Sequence, residues 1–388
     1  MSVPAFAATS PAPAAVAVPP AAVAVPPAAV AVPPAAAAAS SASSATFNIF
    51  NPPSQTGAPS GSPEGLTGVY AASPTDVWAV GGATGDPFEH WNGTSWTGQG
   101  LPAGLCTAPE GALVGNQCGV SFITGTSADN ITAVGTGIID TGSSDVEESV
   151  AFHFNGTSWS QMTIPANVTL GPLAAFSATD LWSVNNNGDA EQFNGSTWTT
   201  TKLPISTTLP DLSMSSIAGS SPSDIWAAGT ASTEGVEHRK VAPVLEHFNG
   251  TSWTNVTVPV NGGVSDVLAI SPTDAFAIDG GSLIQWNGST WSVVNATTQT
   301  GAAVSGSALA ALSPTDVWLA GVTTLDNFNG TTWTSIPVPS TAALTPAGQM
   351  LAEPVAATAA GPGTVWFAGE TITATGGTLP YAMGTSNG

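Results

Sequence analysis

Side chains able to do chemistry are few in this chain, and most are acids. There are 25 Asp and Glu against 3 Lys and Arg, with 4 His, 2 Tyr and 2 Cys. Two stretches outside the repeated turns concentrate acids. One holds Asp140, Asp145, Glu147 and Glu148. The other holds Glu234, Glu237, His238, Arg239 and Lys240, and so two of the three cations. Carboxylate oxygens suit a hard cation such as calcium. The order Asp-x-x-x-x-Asp-x-Glu-Glu is not a recognised calcium cage, however, and a solvated acidic loop explains it as well. Two carboxylates could also serve a glycosidase as acid and base, but no spacing here marks such a pair. His90, His153 and His247 occupy one position of a repeat that holds Gln192, Gln285 and Asn327 elsewhere. Residues dispersed in this way cannot converge on one metal, and a polar strand residue bonded to backbone is the expected role. Cys106 and Cys118 are near neighbours and have no other Cys in the chain. They are expected to form a disulfide in an oxidising compartment, since no second Cys/His pair completes a zinc set.

Charge excludes several partners. At a formal −22, the chain lacks the clustered Lys and Arg that displace counterions from nucleic acid or hold anionic lipid. Only 7% of residues are charged, yet 42% are hydrophobic and 13 are Trp, enough to bury a core. Solubility rests on Ser, Thr, Asn and Gly.

Residues 1–10 read as the remnant of a signal peptide, with Ala5-Phe6-Ala7 matching a small-x-small cleavage pattern. Residues 11–45 are rich in Ala, Val and Pro, and Ala-Ala-Val-Ala-Val-Pro-Pro recurs from Ala14, Ala21 and Ala28. Pro-Pro pairs remove backbone donors throughout, which argues against a membrane span. An extended, disordered stalk is expected.

From Thr46 to the C-terminus two phrases alternate. The first, Ser-Pro-Thr-Asp-Val-Trp-Ala-Val-Gly at Ser73–Gly81, returns at Ser127, Ser177, Ser221, Ser271 and Ser313, with a worn copy at Gly361–Trp366. Its Asp falls at 76, 129, 180, 224, 274 and 316, with Thr364 in the last copy. The second, His-Phe-Asn-Gly-Thr-Ser-Trp at His247–Trp253, has copies ending at Trp96, Trp159, Trp198, Trp291 and Trp333. Repeat intervals of 42 to 53 residues, with strand periodicity and no helical period, indicate propeller blades.

One unit reads as four antiparallel strands. Ser307–Leu312 is a small, apolar inner strand and Ser313–Asp316 a tight turn. Val317–Val322 is a buried second strand, Leu325–Phe328 a third, Asn329-Gly330 a two-residue type I′ turn and Thr331–Val338 the fourth. There are seven first phrases but six hairpins. The segment Thr46–Pro52 repeats the aromatic-then-apolar spacing of a fourth strand, so it is expected to complete the last blade. The prediction is an all-β, seven-bladed β-propeller over residues 46–388. Tryptophans recurring at strand positions are expected to pack between blades rather than stack on sugars.

The two phrases together resemble the repeats of secreted bacterial β-propellers of the kelch, galactose-oxidase-like and Asp-box type. That resemblance implies the fold and leaves activity open. Sialidases of similar architecture need several Arg, and only Arg239 is present. Copper chemistry like that of galactose oxidase needs a Tyr and paired His, which Tyr70, Tyr381 and the scattered His do not supply. Turns between strands one and two and between three and four share one end of a propeller, and here they are short and uniform. The other end carries Gln99–Gly119, Thr136–Glu148 and Ala231–Lys240, so binding is expected on that loop face. The function expected is a non-enzymatic, secreted or cell-surface binding or adhesion module for a glycan or cell-surface protein, with no cofactor. The alternatives are a secreted hydrolase or lyase with an acidic site on that face, and a structural component of a surface layer or filament.

Overall fold

The computed structural model describes residues 46–50, 65–81, 87–101, 113–140, 145–233, 240–279, 282–294, 304–338, 350–361, 363–372 and 378–386. The expected signal-peptide remnant and stalk lie outside them. The described residues form seven four-stranded antiparallel sheets. The first strand in sequence, β1 (Thr46–Phe50), belongs to the last sheet. Blade 1 is β2 (Leu66–Ser73), β3 (Asp76–Gly81), β4 (Phe88–Trp91) and β5 (Trp96–Gln99). Blade 2 is β6 (Leu113–Ser127), β7 (Asn130–Asp140), β8 (Asp145–Phe154) and β9 (Trp159–Gln161). Blade 3 is β10 (Leu173–Ser177), β11 (Asp180–Val184), β12 (Asp189–Phe193) and β13 (Trp198–Lys202). Blade 4 is β14 (Asp211–Ser221), β15 (Asp224–Ser232), β16 (Val241–Phe248) and β17 (Trp253–Asn255).

Blade 5 is β18 (Val264–Ser271), β19 (Asp274–Asp279), β20 (Ser282–Trp286) and β21 (Trp291–Val293). Blade 6 is β22 (Ala308–Ser313), β23 (Asp316–Ala320), β24 (Thr324–Phe328) and β25 (Trp333–Pro337). Blade 7 is β26 (Met350–Ala359), β27 (Val365–Ile372) and β28 (Thr378–Ser386), and β1 is its fourth strand. Thr46 pairs with Ser386 and Phe50 with Ala382. Each innermost strand touches the next, and β26 touches β2, so the ring closes.

Tryptophan packs the blades together, as expected. In four junctions the Trp of a second strand meets the Trp of the neighbouring fourth strand: Trp78 with Trp159 at 5.4 Å, Trp182 with Trp253 at 5.9 Å, Trp226 with Trp291 at 5.1 Å and Trp366 with Trp96 at 5.6 Å between ring centroids. At the closing junction Phe47 takes that place against Trp318, edge-on at 5.2 Å. Aromatic contacts of this kind add to the area they bury. The closing strand therefore supplies both backbone pairing and the missing aromatic.

Three local expectations need correction. The Asn-Gly hairpins are four-residue loops, not two-residue type I′ turns. Phe248 pairs directly with Trp253, and Asn249 Oδ1 accepts the backbone N–H groups of Thr251 at 3.0 Å and Ser252 at 3.1 Å. The Asn side chain thus organises the loop as an Asx turn. Gly250 sits at φ +87°, where a Cβ would lie 2.7 Å from the Ser223 side chain on the neighbouring turn. In the second unit, Ser127 pairs with Asn130 as Ser73 pairs with Asp76. Asn130, not Asp129, is thus the equivalent of the repeated Asp. Finally, the small, apolar inner strand read in blade 6 holds there but does not carry over to every blade. Register shifts in β2, β6, β14 and β18 leave Thr67, Ser121, Ser215 and Ser265 as extra residues, and bulges of this kind re-aim side chains. Thr67 donates to the Ser121 carbonyl at 2.9 Å and Ser215 to the Val264 carbonyl at 2.8 Å, tying one inner strand to the next.

Candidate functional site on the loop face of blade 2

The predicted acidic loop is a β-hairpin. β7 and β8 run on past the usual blade length, pairing without interruption to Asp140 opposite Asp145. Thr136-Gly137-Ile138-Ile139 and Val146 carry the β-branched residues that favour strand, a signal hidden because the repeated phrase ends at Gly135. Glu147 lies opposite Ile138 and Glu148 opposite Gly137. Because successive residues of a strand face opposite sides, the two carboxylates point to different faces of the sheet.

Beyond this hairpin the chain leaves β9, crosses through Met162–Thr169 and enters blade 3. Between the crossing segment and β8 lies a groove of about 490 Å³. Glu147 and Glu148 lie on its hairpin side, Gln161 to Ala166 on the other, and Val150 and Val168 are buried along it. The Leu170 N–H bonds to Ser149 Oγ at 2.8 Å, fixing the crossing segment to the strand. Among the described residues no Lys or Arg lines the groove.

The other predicted residues divide. Asp140 and Asp145 stand at the hairpin tip through their backbone pairing. Glu234, Glu237, His238 and Arg239 lie outside the described residues, as does Cys106. Cys118 is on β6, opposite Gly137, and is buried; the stretch Leu113–Gly119 is thus strand, not loop. Among the described residues no group of three or more His, Cys, Asp or Glu is arranged to hold a metal.

A shallow hollow on the opposite, turn-bearing face joins Asp76, Trp78, His90, Ser127 and Asp129. An Asp–His pair could act as a general base, and His90 Nε2 is 2.9 Å from Asp76 Oδ1. The repeat explains the pair without catalysis. His247 meets Asp224 at 2.7 Å, His153 meets Asn130 at 2.9 Å, Gln192 meets Asp180 at 3.2 Å, Gln285 meets Asp274 at 3.1 Å and Asn327 meets Asp316 at 2.8 Å. Each ties the third strand to the start of the second. The expected backbone partner is thus replaced by the side chain of the repeated Asp or Asn. In two of the three His blades the imidazole also stacks on the Trp, at 4.2 Å for both Trp78–His90 and Trp226–His247.

Sequence reading missed a row of interior acids. Immediately before the His/Gln/Asn position, Glu89, Glu191, Glu246 and Asp326 are almost fully buried. Glu191 accepts from Thr200 Oγ1 at 2.7 Å and Glu246 from Asn255 Nδ2 at 2.8 Å. Burial pushes the Glu246 carboxyl up to about 7, with the Asn255 amide opposing it, and pushes those of Glu191 and Asp326 upward too. On β18, Asp266 receives Ser216 Oγ at 2.8 Å, the Val267 N–H at 2.9 Å and the Leu309 N–H at 3.0 Å, joining the inner strands of three blades. Part of that residue reaches the surface, but its carboxylate is enclosed among these strands, and burial raises it to about 6. Their alternation with apolar neighbours was the available signal, and it reads equally well as solvent exposure.

No family model matches the chain, and no curated protein is similar to it. Solved structures share the fold. A structure of YCF48 bound to D1 peptide is 14% identical with a TM-score of 0.56, over 88% of this chain and 97% of that one. The WD40 propeller domain of Doa1 is 9% identical with a TM-score of 0.54, over 88% and 98%. The extracellular domain of the hybrid two-component system BT3049 from B. thetaiotaomicron is 13% identical with a TM-score of 0.52, over 83% of this chain and 40% of that one. At such identity the likeness shows a common β-propeller architecture.

Proposed function

We propose that this protein is an extracellular or cell-surface binding module that takes a glycan or protein on the loop face of its ring. The observation that carries the reading is the groove of about 490 Å³ beside β8, walled by Glu147 and Glu148. It lies where variable segments interrupt an otherwise uniform repeat, and variable loops on rigid scaffolds are where binding concentrates. Two fold neighbours lend support: YCF48 is bound to a peptide, and the BT3049 domain is extracellular. Export would place Cys106 and Cys118 where a disulfide persists. A hydrolase is the weaker reading, because Glu147 and Glu148 face opposite sides of their strand and do not flank one substrate bond as an acid–base pair.

The test is binding of the full chain to a glycan array and, in parallel, to immobilised polypeptides. Saturable binding without turnover, weakened at least tenfold by a Glu147→Lys/Glu148→Lys double variant, is expected. Steady release of a cleaved product would instead establish the enzyme.

A further inference from the structure

The long β7–β8 hairpin leaves part of a sheet edge uncovered. β9 pairs with β8 only from Phe152 to Phe154. The Met162 N–H then bonds the Ala151 carbonyl at 2.8 Å. Towards the tip, no described strand pairs with the outer edge of Asp145–Val150. Backbone groups alternate along a strand. Since Ala151 points its carbonyl outward, Ser149 and Glu147 point their N–H and C=O groups the same way, into the groove.

Two other blades extend their second and third strands in this manner, and they treat the edge differently. In blade 4 the Val256 N–H bonds the Leu245 carbonyl, which makes Leu245 the counterpart of Ala151 and Pro243 that of Ser149. In blade 7, Gly384 pairs with Trp366 as His153 pairs with Thr132, which makes Pro380 the counterpart of Ser149. Both counterparts are proline, which has no N–H to offer an incoming strand and is a common block on an exposed edge. Blade 2 alone of the three keeps a donor there.

We propose that β8 of blade 2 binds an extended polypeptide by strand addition, and that the segment carries two consecutive basic residues. The inference rests on the binding reading above and specifies its ligand. Main-chain hydrogen bonds along such an edge supply affinity, and flanking side chains supply selectivity. Residues directly opposite across a strand pair share a face. The peptide residues opposite Glu147 and Glu148 are therefore neighbours in its sequence, one on each face, and each meets a carboxylate. Val146, 42% exposed, offers an apolar contact beside them. Among the described residues no cation lines the groove to oppose this charge pairing, and the whole chain carries −22.

The probe is a fluorescent peptide with a central Lys-Lys flanked by Val and Thr, compared with its Glu-Glu counterpart, on the full chain. The Lys-Lys peptide is expected to bind at least tenfold more tightly, and to slow amide exchange at Glu147 and Ser149. Ser149→Pro, which copies blades 4 and 7, is expected to weaken binding at least tenfold, with its unfolding midpoint checked separately. The exchange readout needs no variant and so decides the matter even if Ser149→Pro fails to fold. Unchanged exchange at both amides, or equal binding by a folded Ser149→Pro protein, overturns strand addition. Binding of a glycan but not of either peptide overturns the ligand class and leaves the binding reading standing. Failure of the chain to bind any glycan or polypeptide overturns both.

Discussion

Burial sets the chemistry of single residues in this ring more than their type does. Glu246 has the same carboxyl as Glu147, yet it is fully enclosed and rises to about 7, with one oxygen bonded to Asn255 and the other lacking a protein partner among the described residues. An acid whose folded value is raised holds its proton in the native state after the unfolded chain has released it. Its effect on stability therefore falls as pH rises from the ordinary value of 4.5 to about 7, and stays low above that. Asp266 acts in the same direction between 3.8 and about 6. The unfolding midpoint should thus be higher at pH 5 than at pH 8. Glu246→Gln, which keeps an oxygen for Asn255 and removes the charge, should flatten that profile and stabilise the protein at pH 8 by about 1–3 kcal/mol. A midpoint that climbs with pH, in either protein, would contradict this account. Identities alone could not separate the roles of these acids, because a polar residue alternating with apolar ones reads the same whether it faces water or a neighbouring blade.

At the level of elements, the repeat was legible because packing demands it in every blade. Phe47 shows how far that logic reaches. It is 6% exposed and lies against Trp318 and Phe367, with centroids at 5.2 and 6.2 Å. This is the place that Trp159, Trp253 and Trp291 fill elsewhere. Phe47→Ala should cost about 3–5 kcal/mol in chemical denaturation, the usual range for a buried aromatic. A loss below about 1 kcal/mol would mean that β1 does not hold the ring shut. The loops were less legible than the strands. The Asn-Gly pair suited a type I′ turn, but the Asn side chain satisfies two backbone donors and makes a four-residue loop preferable. The β7–β8 extension was hidden because a strand can outgrow its repeat without altering the phrase that marks it.

At the scale of the whole molecule, the described residues from Thr46 onward form a closed ring of seven blades, and the proposed disulfide would add a covalent tie to one of them. Cys118 is buried on the inner strand of blade 2. If Cys106 bonds to it as proposed, the full chain should resist alkylation until reduced, and reduction should lower stability by about 2–4 kcal/mol. Two thiols modified without reductant would dismiss the bridge. The number of blades, their strand order, the closing segment and the packing role of Trp were all determined by the sequence itself. Those features recur, and a repeated unit must present the same apolar contacts to each neighbour. The sequence pointed to Glu147 and Glu148 on the loop face, but the arrangement behind the proposed binding mode came only from the tertiary structure. It placed Glu147 and Glu148 on opposite faces of one strand, laid the Met162–Thr169 crossing beside them, and left Ser149 with a donor where Pro243 and Pro380 have none. A site of this kind depends on what lies across a gap from a strand edge, and residues brought together by folding share no spacing along the chain.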